Sequence, residues 1–418
     1  MGIILQDNQV IVDAINNSSG GGGQTTLPDA YFDAFSRLRV SELTTLIDLK
    51  YLHDDQPLFV DEVNSGGSSV YSSTTSSVTI GTNSTSDYVV RQTKQRFNYQ
   101  NGKSQLILTT FSGFQNQTNV NKRIGYFSSN TTAPYNSTLD GLFLQSDGSN
   151  ISTNIYRSGT LVESVNQSSF NRDRLDGTGS SGITADWSKD QILVIDFQYL
   201  GVGRVRWGLD IDGVIVYFHE TLNANNIEDV YMTSPNQPLR WEIRQSGVGS
   251  GTFKAICSTV ASEGSINQVG RILSYNVGNN RLNANLAGTT YAALGIRLKS
   301  IQKDTNINIV DFSTLSTTND DYLLELRFNP SVTNTFTYAG VNNSSIEIAE
   351  GSSSNVASGG TMVYSTYGRR NSDLKTQINN AIRLGSNLDG TLDEFVICIT
   401  PISNGLDLYT SLNWNELI

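Results

Sequence analysis

The chain has 418 residues, more than one hydrophobic core usually supports, so its length favours two or more domains. Hydrophobic residues make up 37% of it and charged residues only 16%. Ser, Thr, Asn and Gly fill the difference, which favours turns and solvated strand faces over helix interiors. The formal net charge of −11 argues against nucleic acid as a partner, because phosphates require a basic surface.

The N-terminal residues predict an arm that attaches this chain to a neighbouring protein. Residues 2–15 have the pattern of a short strand, and Ser18–Gly23 forms a Gly-rich, flexible tether. The apolar side chains expected to anchor the arm are Ile3, Ile4, Leu5, Val10 and Val12. A frayed terminus is the alternative. Pro28–Leu38 then predicts one short helix or a turn, because proline favours the first helical position.

Targeting signals are missing from this start. It has no basic leader, so we expect no signal peptide. No apolar run in the chain approaches the roughly 18–20 residues that a membrane span needs. We therefore expect a soluble protein that is made in the cytoplasm of a host and has no membrane partner.

The sequence signals for β-strands become clearer along the chain. Apolar and polar residues alternate only weakly in residues 47–63. Residues 64–87 are so rich in Ser and Thr that they predict long exposed loops or edge strands. From Tyr88 onward, short apolar runs are separated by Gly, Asn and Asp, which is typical of an antiparallel sandwich or jelly roll. The first series of strands is predicted at Tyr88–Phe97, Ser104–Phe111, Lys122–Phe127, Leu142–Gln145, Ile151–Arg157, Ile192–Tyr199, Arg204–Asp210, Val214–Glu220, Leu239–Arg244 and Phe253–Val260.

The strongest local signal is a hairpin at Arg204–His219. Alternate residues form one apolar face on each side of an Asp212-Gly213 turn. Asp-Gly between two such runs predicts a tight hairpin, because Gly accepts the positive φ that the turn demands. His219 falls on the opposite face, where we expect it to be solvated. The apolar face consists of Val205, Trp207, Leu209, Val214, Val216 and Phe218.

A second series of strands begins near Gly270. Leu374–Leu384 predicts a helix, and Leu406–Leu417 is apolar enough to dock on the rest with Trp414 as its anchor. Together the two series predict an all-β chain of two antiparallel, jelly-roll-like β-sandwich domains in series, with an extended N-terminal arm. We place the arm at residues 1–29, the first sandwich at 30–265 and the second at 266–418. The second series comprises Leu294–Ile301, Ile307–Phe312, Tyr322–Phe328, Ser345–Ile348, Thr361–Thr366 and Leu392–Thr400.

Residues for catalysis or metal binding are scarce. His53 and His219 are the only histidines, and Cys257 and Cys398 lie in separate strand-like runs. We expect both cysteines to be buried free thiols, with a long-range disulfide as the alternative. No catalytic residue, metal site or cofactor is predicted, since zinc needs about three or four nitrogen or sulfur ligands and no Gly-rich phosphate loop is present.

Pairs of carboxylates also favour a structural interpretation. Asp210 and Asp212 sit two residues apart, which could suit calcium or the acid pair of a glycosidase. Asp212 is required by the predicted turn, however, so we assign both to a turn and a solvated strand end. The same interpretation applies to Asp389 and to Asp393-Glu394.

Tyrosines in or beside Asn- and Ser-rich loops are the best candidates for ligand contact. Aromatic faces stack on sugar C–H groups, and neighbouring Asn and Asp side chains bind sugar hydroxyls. The alternative is that they shield the edges of the core. The candidates for glycan contact are Tyr126, Tyr135, Tyr156 and Tyr199.

Five segments resemble a protein family of tailed phages of aquatic bacteria that also occurs in some large DNA viruses. The resemblance implies a component of a virus particle. In addition, Trp187–Glu220 resembles part of a concanavalin-like or laminin-G-like sandwich, which implies that fold and carries over no sugar or calcium ligand. The five segments are Asp33–Ser41, Arg91–Gln105, Tyr231–Glu242, Leu384–Gly390 and Ser411–Leu417.

These observations lead to a functional hypothesis. We expect a non-enzymatic structural protein on the exterior of a tailed-phage virion, as a tail fibre, baseplate appendage or capsid decoration, anchored by its N-terminal arm. A symmetric homo-oligomer, with a trimer favoured, would satisfy exposed sheet edges. Expected partners are other virion proteins and host surface polysaccharide. The alternatives are a dedicated carbohydrate-binding adhesin and a glycan-degrading enzyme.

Overall fold

The computed structural model describes residues 29–64, 66–264, 270–318, 320–369, 373–377 and 383–417. Among these residues there is no α-helix, and the only helical elements are three-residue 3₁₀ helices at Asp29–Tyr31 and Gln167–Ser169. The prediction of an all-β chain is therefore confirmed. The proposed anchoring residues Ile3, Ile4, Leu5, Val10 and Val12 lie outside the described residues.

Two large antiparallel sheets form the N-terminal half. The strands are β1 (Leu43–Lys50), β2 (Phe59–Val63), β3 (Gly67–Ser72), β4 (Ser77–Thr82), β5 (Tyr88–Thr93), β6 (Gln105–Ser112), β7 (Val120–Ser129), β8 (Thr138–Ser146), β9 (Ile151–Arg157), β10 (Thr160–Asn166), β11 (Gln191–Phe197), β12 (Val205–Ile211), β13 (Val214–Thr221), β14 (Leu239–Gln245) and β15 (Gly251–Glu263). One sheet has eight strands, in the order β13-β12-β11-β6-β15-β4-β3, with β1 also paired to β15. The other has seven, in the order β10-β9-β8-β7-β14-β5-β2.

The core of this half lies between the two sheets. Strand β14 shows how the sequence produces it, because Leu239, Trp241 and Ile243 alternate into the core from the seven-stranded sheet. Trp207 enters the same core from the eight-stranded sheet. Residues that alternate with these, such as Arg240, lie on the outer faces. The two sheets therefore form a β-sandwich.

For residues 64–87 we predict long exposed loops or edge strands, and the structure confirms an edge strand at β3 but not at β4. Strand β4 is an interior strand whose Val78 and Ile80 are fully buried in the core, while β3 lies at the edge of the sheet. The Ser and Thr residues between them obscured the alternation, because hydroxyl side chains fit both solvated and buried strand faces.

The C-terminal half repeats the two-layer arrangement. Its strands are β16 (Arg271–Asn276), β17 (Leu282–Ala284), β18 (Tyr291–Leu298), β19 (Asn306–Ser316), β20 (Tyr322–Phe328), β21 (Ser331–Val332), β22 (Ala339–Gly340), β23 (Ile346–Glu350), β24 (Ala357–Ser358), β25 (Thr361–Gly368), β26 (Asp373–Gln377), β27 (Glu394–Pro401) and β28 (Leu406–Leu417). A five-stranded sheet β16-β28-β19-β26, with β17 paired to β28, faces a six-stranded sheet β22-β23-β18-β27-β20-β25. Strands β21 and β24 form a small separate pair.

Strand β28 confirms the predicted docking of the C-terminal segment, because Trp414 is fully buried in the second core. The predicted helix at Leu374–Leu384 is wrong where the structure describes it. Residues Asp373–Gln377 form β26, which pairs with Asp311–Leu315 of β19. Pairing to a neighbouring strand overrides the local helical spacing of apolar residues.

The segment from Asp29 to Val40, here called the strap, lies on the outer face of the eight-stranded sheet. The Ala34 amide donates to Ser104 Oγ at 3.0 Å, and Arg204 Nε donates to Ala34 O at 3.1 Å. Arg39 pairs with the buried carboxylates of Asp196 and Glu263. The strap is thus fastened to the sheet by buried charged groups as well as by its backbone.

The two halves of the chain are in contact. The Ser386 amide donates to Lys94 O at 3.1 Å, and Leu388 packs with Val90 and Tyr135 on the outer face of the seven-stranded sheet. The domain boundary that we predict at residue 265 falls at residues 265–269, outside the described residues, and it stays a prediction.

Candidate functional site

The predicted hairpin is present and contributes to a cleft. Strands β12 and β13 join at Asp212 and Gly213, whose φ values of 54° and 82° are the left-handed values that a tight hairpin turn requires. The Gly213 amide donates to Asp210 Oδ1 at 3.0 Å. The Asp210 carboxylate therefore closes the turn.

A cleft of about 490 Å³ lies at this end of the eight-stranded sheet, and we call it the hairpin-end cleft. The antiparallel register places Thr110, Ile192 and Asp210 side by side on β6, β11 and β12. They occupy the outer face, because the next residue along β11, Leu193, belongs to the core. The lining residues are Thr110, Ile183, Thr184, Ala185, Asp186, Asp190, Gln191, Ile192, Asp210, Ile211 and Asp212.

The hairpin-end cleft combines negative charge with apolar surface. Asp186 accepts hydrogen bonds from the Ser188 hydroxyl at 2.6 Å and the Ser188 amide at 3.0 Å, and these bonds hold its pKa below the ordinary value. It is therefore a carboxylate and a hydrogen-bond acceptor at neutral pH. A glycosidase general acid requires the opposite, a raised pKa. The cleft has four carboxylates and three isoleucines: Asp186, Asp190, Asp210, Asp212, Ile183, Ile192 and Ile211.

The four tyrosines proposed for glycan contact are not brought together. Tyr126 is fully buried between the sheets, where its hydroxyl donates to Phe97 O at 3.0 Å. Tyr135 is also buried and packs edge-on against Tyr88. Our expectation that these two side chains are exposed is wrong, because Tyr126 lies on β7 and faces the core, and Tyr135 packs against Tyr88 although the loop around it is polar.

Tyr156 and Tyr199 are half-buried and lie apart from each other. Tyr156 stacks on Phe143 with ring centroids 5.7 Å apart, and the Tyr199 hydroxyl donates to Met232 O at 2.8 Å. Both rings thus contribute to packing, and neither lines the hairpin-end cleft. Their role in glycan contact remains a prediction.

His219 is buried, so our expectation of a solvated position is wrong. Phe170 packs against it with ring centroids 5.7 Å apart and covers it from solvent. Its Nδ1 accepts the Asn171 amide at 3.4 Å, and Nε2 lies 3.7 Å from Glu163 Oε2. This arrangement ties the Gln167–Asn171 region to β13 and lines no cleft named above.

The cysteines are free, as predicted, and only Cys398 is buried, whereas Cys257 is half-buried. Within the described ranges, no group of three or more His, Cys, Asp and Glu side chains is placed to hold a metal ion. No helix in that part of the chain is long and apolar enough to cross a membrane.

Sequence reasoning missed Asp186 and Asp190 as site residues. Both precede β11, and the pairing of Ile192 with Asp210 brings the start of β11 beside the end of β12. Two neighbouring strand predictions, taken as an antiparallel pair, would have placed these aspartates near Asp210 and Asp212. The order and antiparallel pairing of the strands therefore carry a signal that no single strand contains.

The fold and this cleft define a β-sandwich protein with an acidic groove on one outer sheet face. No protein-family model and no curated protein sequence matches the chain. Among solved structures, it is similar to the carbohydrate recognition domain of Emp47p (13% identity, 52% of this chain and 96% of that one, TM-score 0.33). It is also similar to a legume lectin-like domain from Entamoeba histolytica, with 9% identity over 53% of this chain and 98% of that one and a TM-score of 0.33. A third similar structure is a β-glucanase from Bacillus licheniformis, with 12% identity over 53% of this chain and 98% of that one and a TM-score of 0.32. Similarity at this level carries no assignment of function.

Proposed function

We propose that this chain is a non-enzymatic protein of the exterior of a tailed-phage particle that binds a host-surface saccharide in the hairpin-end cleft. Its N-terminal arm attaches it to the particle, as part of a tail fibre, baseplate appendage or capsid decoration. The observation that carries saccharide binding is the cleft itself, with its combination of carboxylates and aliphatic side chains.

The lining of the cleft suits a sugar ring. Sugar hydroxyls donate hydrogen bonds to carboxylates, and Thr184 and Gln191 offer both donors and acceptors. The isoleucines provide apolar surface for the C–H groups of the ring. A volume of about 490 Å³ lies within the range of small-molecule sites. These features support recognition of one or two sugar units.

Other observations support the location on a virion. The five sequence segments that resemble a phage family are spread from Asp33 to Leu417. The first of them, Asp33–Ser41, includes most of the strap, which joins the proposed arm to the sandwich. A homotrimer would cover sheet edges such as β3, since unpaired edges favour association.

Binding of the purified protein to an array of bacterial surface glycans tests the saccharide proposal. We expect binding to at least one glycan, and we expect Asp190→Ala to weaken it about tenfold, which corresponds to one lost hydrogen bond to a charged group of about 1.4 kcal/mol. Asp190 is exposed at the mouth of the cleft, so the substitution should leave the fold intact.

Asp48→Ala is the matched control, because Asp48 is another exposed aspartate, on β1 and outside the cleft lining. It should bind as the unchanged protein does. Absence of binding across glycans from the host surface would refute saccharide recognition. Equal affinity of the two variants would show that the sugar binds somewhere else.

A further inference from the structure

The chain contains two Asn-Gly pairs, Asn101-Gly102 and Asn404-Gly405. An asparagine before a glycine is chemically labile in water, because the glycine nitrogen can attack the asparagine side chain and no Cβ obstructs the ring that forms. Both pairs lie in exposed connections between strands, and the two glycines have similar left-handed φ values of 84° and 91°. A difference in reactivity between the pairs therefore depends on the contacts that each one makes.

The reacting groups of the first pair have no restraint in the part of the chain that the structure describes. There the Asn101 side chain makes no hydrogen bond, and the Gly102 amide donates none. The flanking residues close the turn instead, because the Lys103 amide donates to Gln100 O at 3.1 Å. The space where a Cβ would stand on Gly102 is open, with no atom beyond the neighbouring residues within 4 Å. The Gly102 nitrogen and Asn101 Cγ are therefore free to approach each other.

The second pair is restrained at both reacting groups. Asn404 Oδ1 accepts a hydrogen bond from the Ala287 amide at 2.8 Å, and the Gly405 amide donates to Asn285 O at 3.2 Å. Ring closure requires the side-chain carbonyl and the glycine nitrogen to move together, so both hydrogen bonds must break first. Asn404-Gly405 thus serves as an internal reference that has the same sequence and exposure but is held in place.

The reaction at Asn101 requires only water. The Gly102 nitrogen forms a bond to Asn101 Cγ, and the bond from Cγ to Nδ2 breaks as ammonia leaves with the proton of the Gly102 amide. Water then opens the five-membered succinimide at one of its two carbonyl carbons. Opening at Cγ gives aspartate, and opening at the main-chain carbonyl gives isoaspartate, in which the main chain runs through Cγ. No step is an oxidation or a reduction.

Position 101 is next to a contact of the strap. Gly102 O accepts a hydrogen bond from Arg37 Nη1 at 2.9 Å, and Arg37 also pairs with Asp33 within the strap. Deamidation adds one negative charge beside this contact. In isoaspartate, the main chain before Gly102 also gains one atom, which shifts the Gly102 carbonyl relative to Arg37. The reaction therefore changes the surface on which the strap is held.

We infer that Asn101 is a modification site, at which the folded protein converts in water to aspartate and isoaspartate, whereas the fold protects Asn404. The reactive pair and the protected pair differ in their hydrogen bonds and not in their sequence. This inference is independent of saccharide binding and of a location on a virus particle.

Incubation of the purified full chain at mildly alkaline pH, followed by peptide mass spectrometry, tests this inference. Alkaline pH accelerates the reaction, because the attacking nitrogen must give up its proton. We expect the peptide that contains Asn101 to deamidate at least about tenfold faster than the peptide that contains Asn404, since two hydrogen bonds must break at the second pair. Chromatography should separate two products of equal mass at position 101, aspartate and isoaspartate.

Two controls separate the effect of the fold from that of the sequence. In the chain unfolded by guanidinium chloride, the two peptides should react at similar rates, because glycine follows asparagine in both. Asn101→Gln should stay unmodified at this position, since the longer side chain would have to close a six-membered ring, which forms much more slowly. The inference is overturned if Asn101 stays intact in the folded chain, if Asn404 reacts as fast there, or if the two rates differ equally in the unfolded chain.

Discussion

Asp196 illustrates how single residues hold the strap on its sheet. Its carboxylate is fully buried, and it accepts hydrogen bonds from Arg39, Arg206, the Tyr217 hydroxyl at 2.8 Å and Ser104 Oγ at 3.0 Å. Burial and the neighbouring Asp196 carboxylate raise the pKa of Tyr217, so its hydroxyl remains a donor. The position lies in an almost uninterrupted apolar run, and nothing in the sequence points to Arg39, 157 residues away.

We expect Asp196→Ala to lower the free energy of unfolding by about 3–5 kcal/mol, because it leaves the buried Arg206 without its anion and removes one of the two carboxylates that pair with Arg39. Urea denaturation followed by tryptophan fluorescence measures the effect. Asp48→Ala is the control, and removal of its exposed pair with Lys50 should change stability far less than Asp196→Ala does, because solvent screens exposed ion pairs. Similar losses in both variants would contradict the structural role of Asp196.

At the scale of elements, strands β7 and β8 pair glycines with phenylalanines in a way that the alternation of apolar residues does not predict. Gly125 lies opposite Phe143, and Gly141 lies opposite Phe127, so each aromatic side chain lies across from a glycine. The two rings meet with centroids 4.6 Å apart on the outer face of the seven-stranded sheet. The missing Cβ atoms give the rings space to lie against the backbone, and Gly141 has φ 141°.

Gly141→Ala should destabilise the protein by about 2 kcal/mol or more, because a Cβ at this position overlaps the backbone and side chain of Phe127. Thermal denaturation measures the change. Gly213→Ala provides the comparison, since Gly213 also has a positive φ but has open space around it. Gly213→Ala should lower the free energy of unfolding by only about 1–2 kcal/mol, which is the penalty for placing a residue with a Cβ in the left-handed conformation. A larger loss for Gly213→Ala would contradict the steric explanation.

Strands in which apolar and polar residues clearly alternate could be predicted from the sequence. Strands that form only because they pair with a strand far away in sequence could not. The β12–β13 hairpin follows from alternate apolar residues and Asp-Gly, so its position is accurate to one residue. The helix prediction at Leu374–Leu384 fails at β26 because this strand pairs with β19, which is far away in sequence. Likewise, the hairpin-end cleft depends on the register of three strands, which no single segment of sequence encodes.

At the scale of the whole molecule, the strap separates the proposed arm from the folded sandwich. Its hydrogen bonds begin at Asp29, whose Oδ2 accepts from Arg172 Nη2 at 2.6 Å and whose carbonyl accepts from Arg206. These hydrogen bonds fasten the strap to the sandwich from its first residue onward. The spacing of apolar residues predicts the sandwich, but not the sheet face on which the strap lies.

Deletion of residues 1–26 should leave the melting temperature within about 2 °C of the full chain, because the strap is retained. If the arm anchors the protein, the deleted form should be missing from assembled phage particles. Quantitative mass spectrometry of purified particles measures incorporation, with the full-length chain expressed at the same level as the control. Normal incorporation of the deleted form would remove the anchoring role from the arm.

The strap and the hairpin-end cleft lie at opposite ends of the same strands. On β12 the strap contacts Arg206 and the cleft contains Asp210, four residues or roughly 13 Å further along. If a particle holds the arm while a cell surface holds the cleft, the tension between them runs parallel to β11, β12 and β13. Hydrogen bonds between strands then resist the pull in shear, all at once, instead of opening one after another as in a zipper.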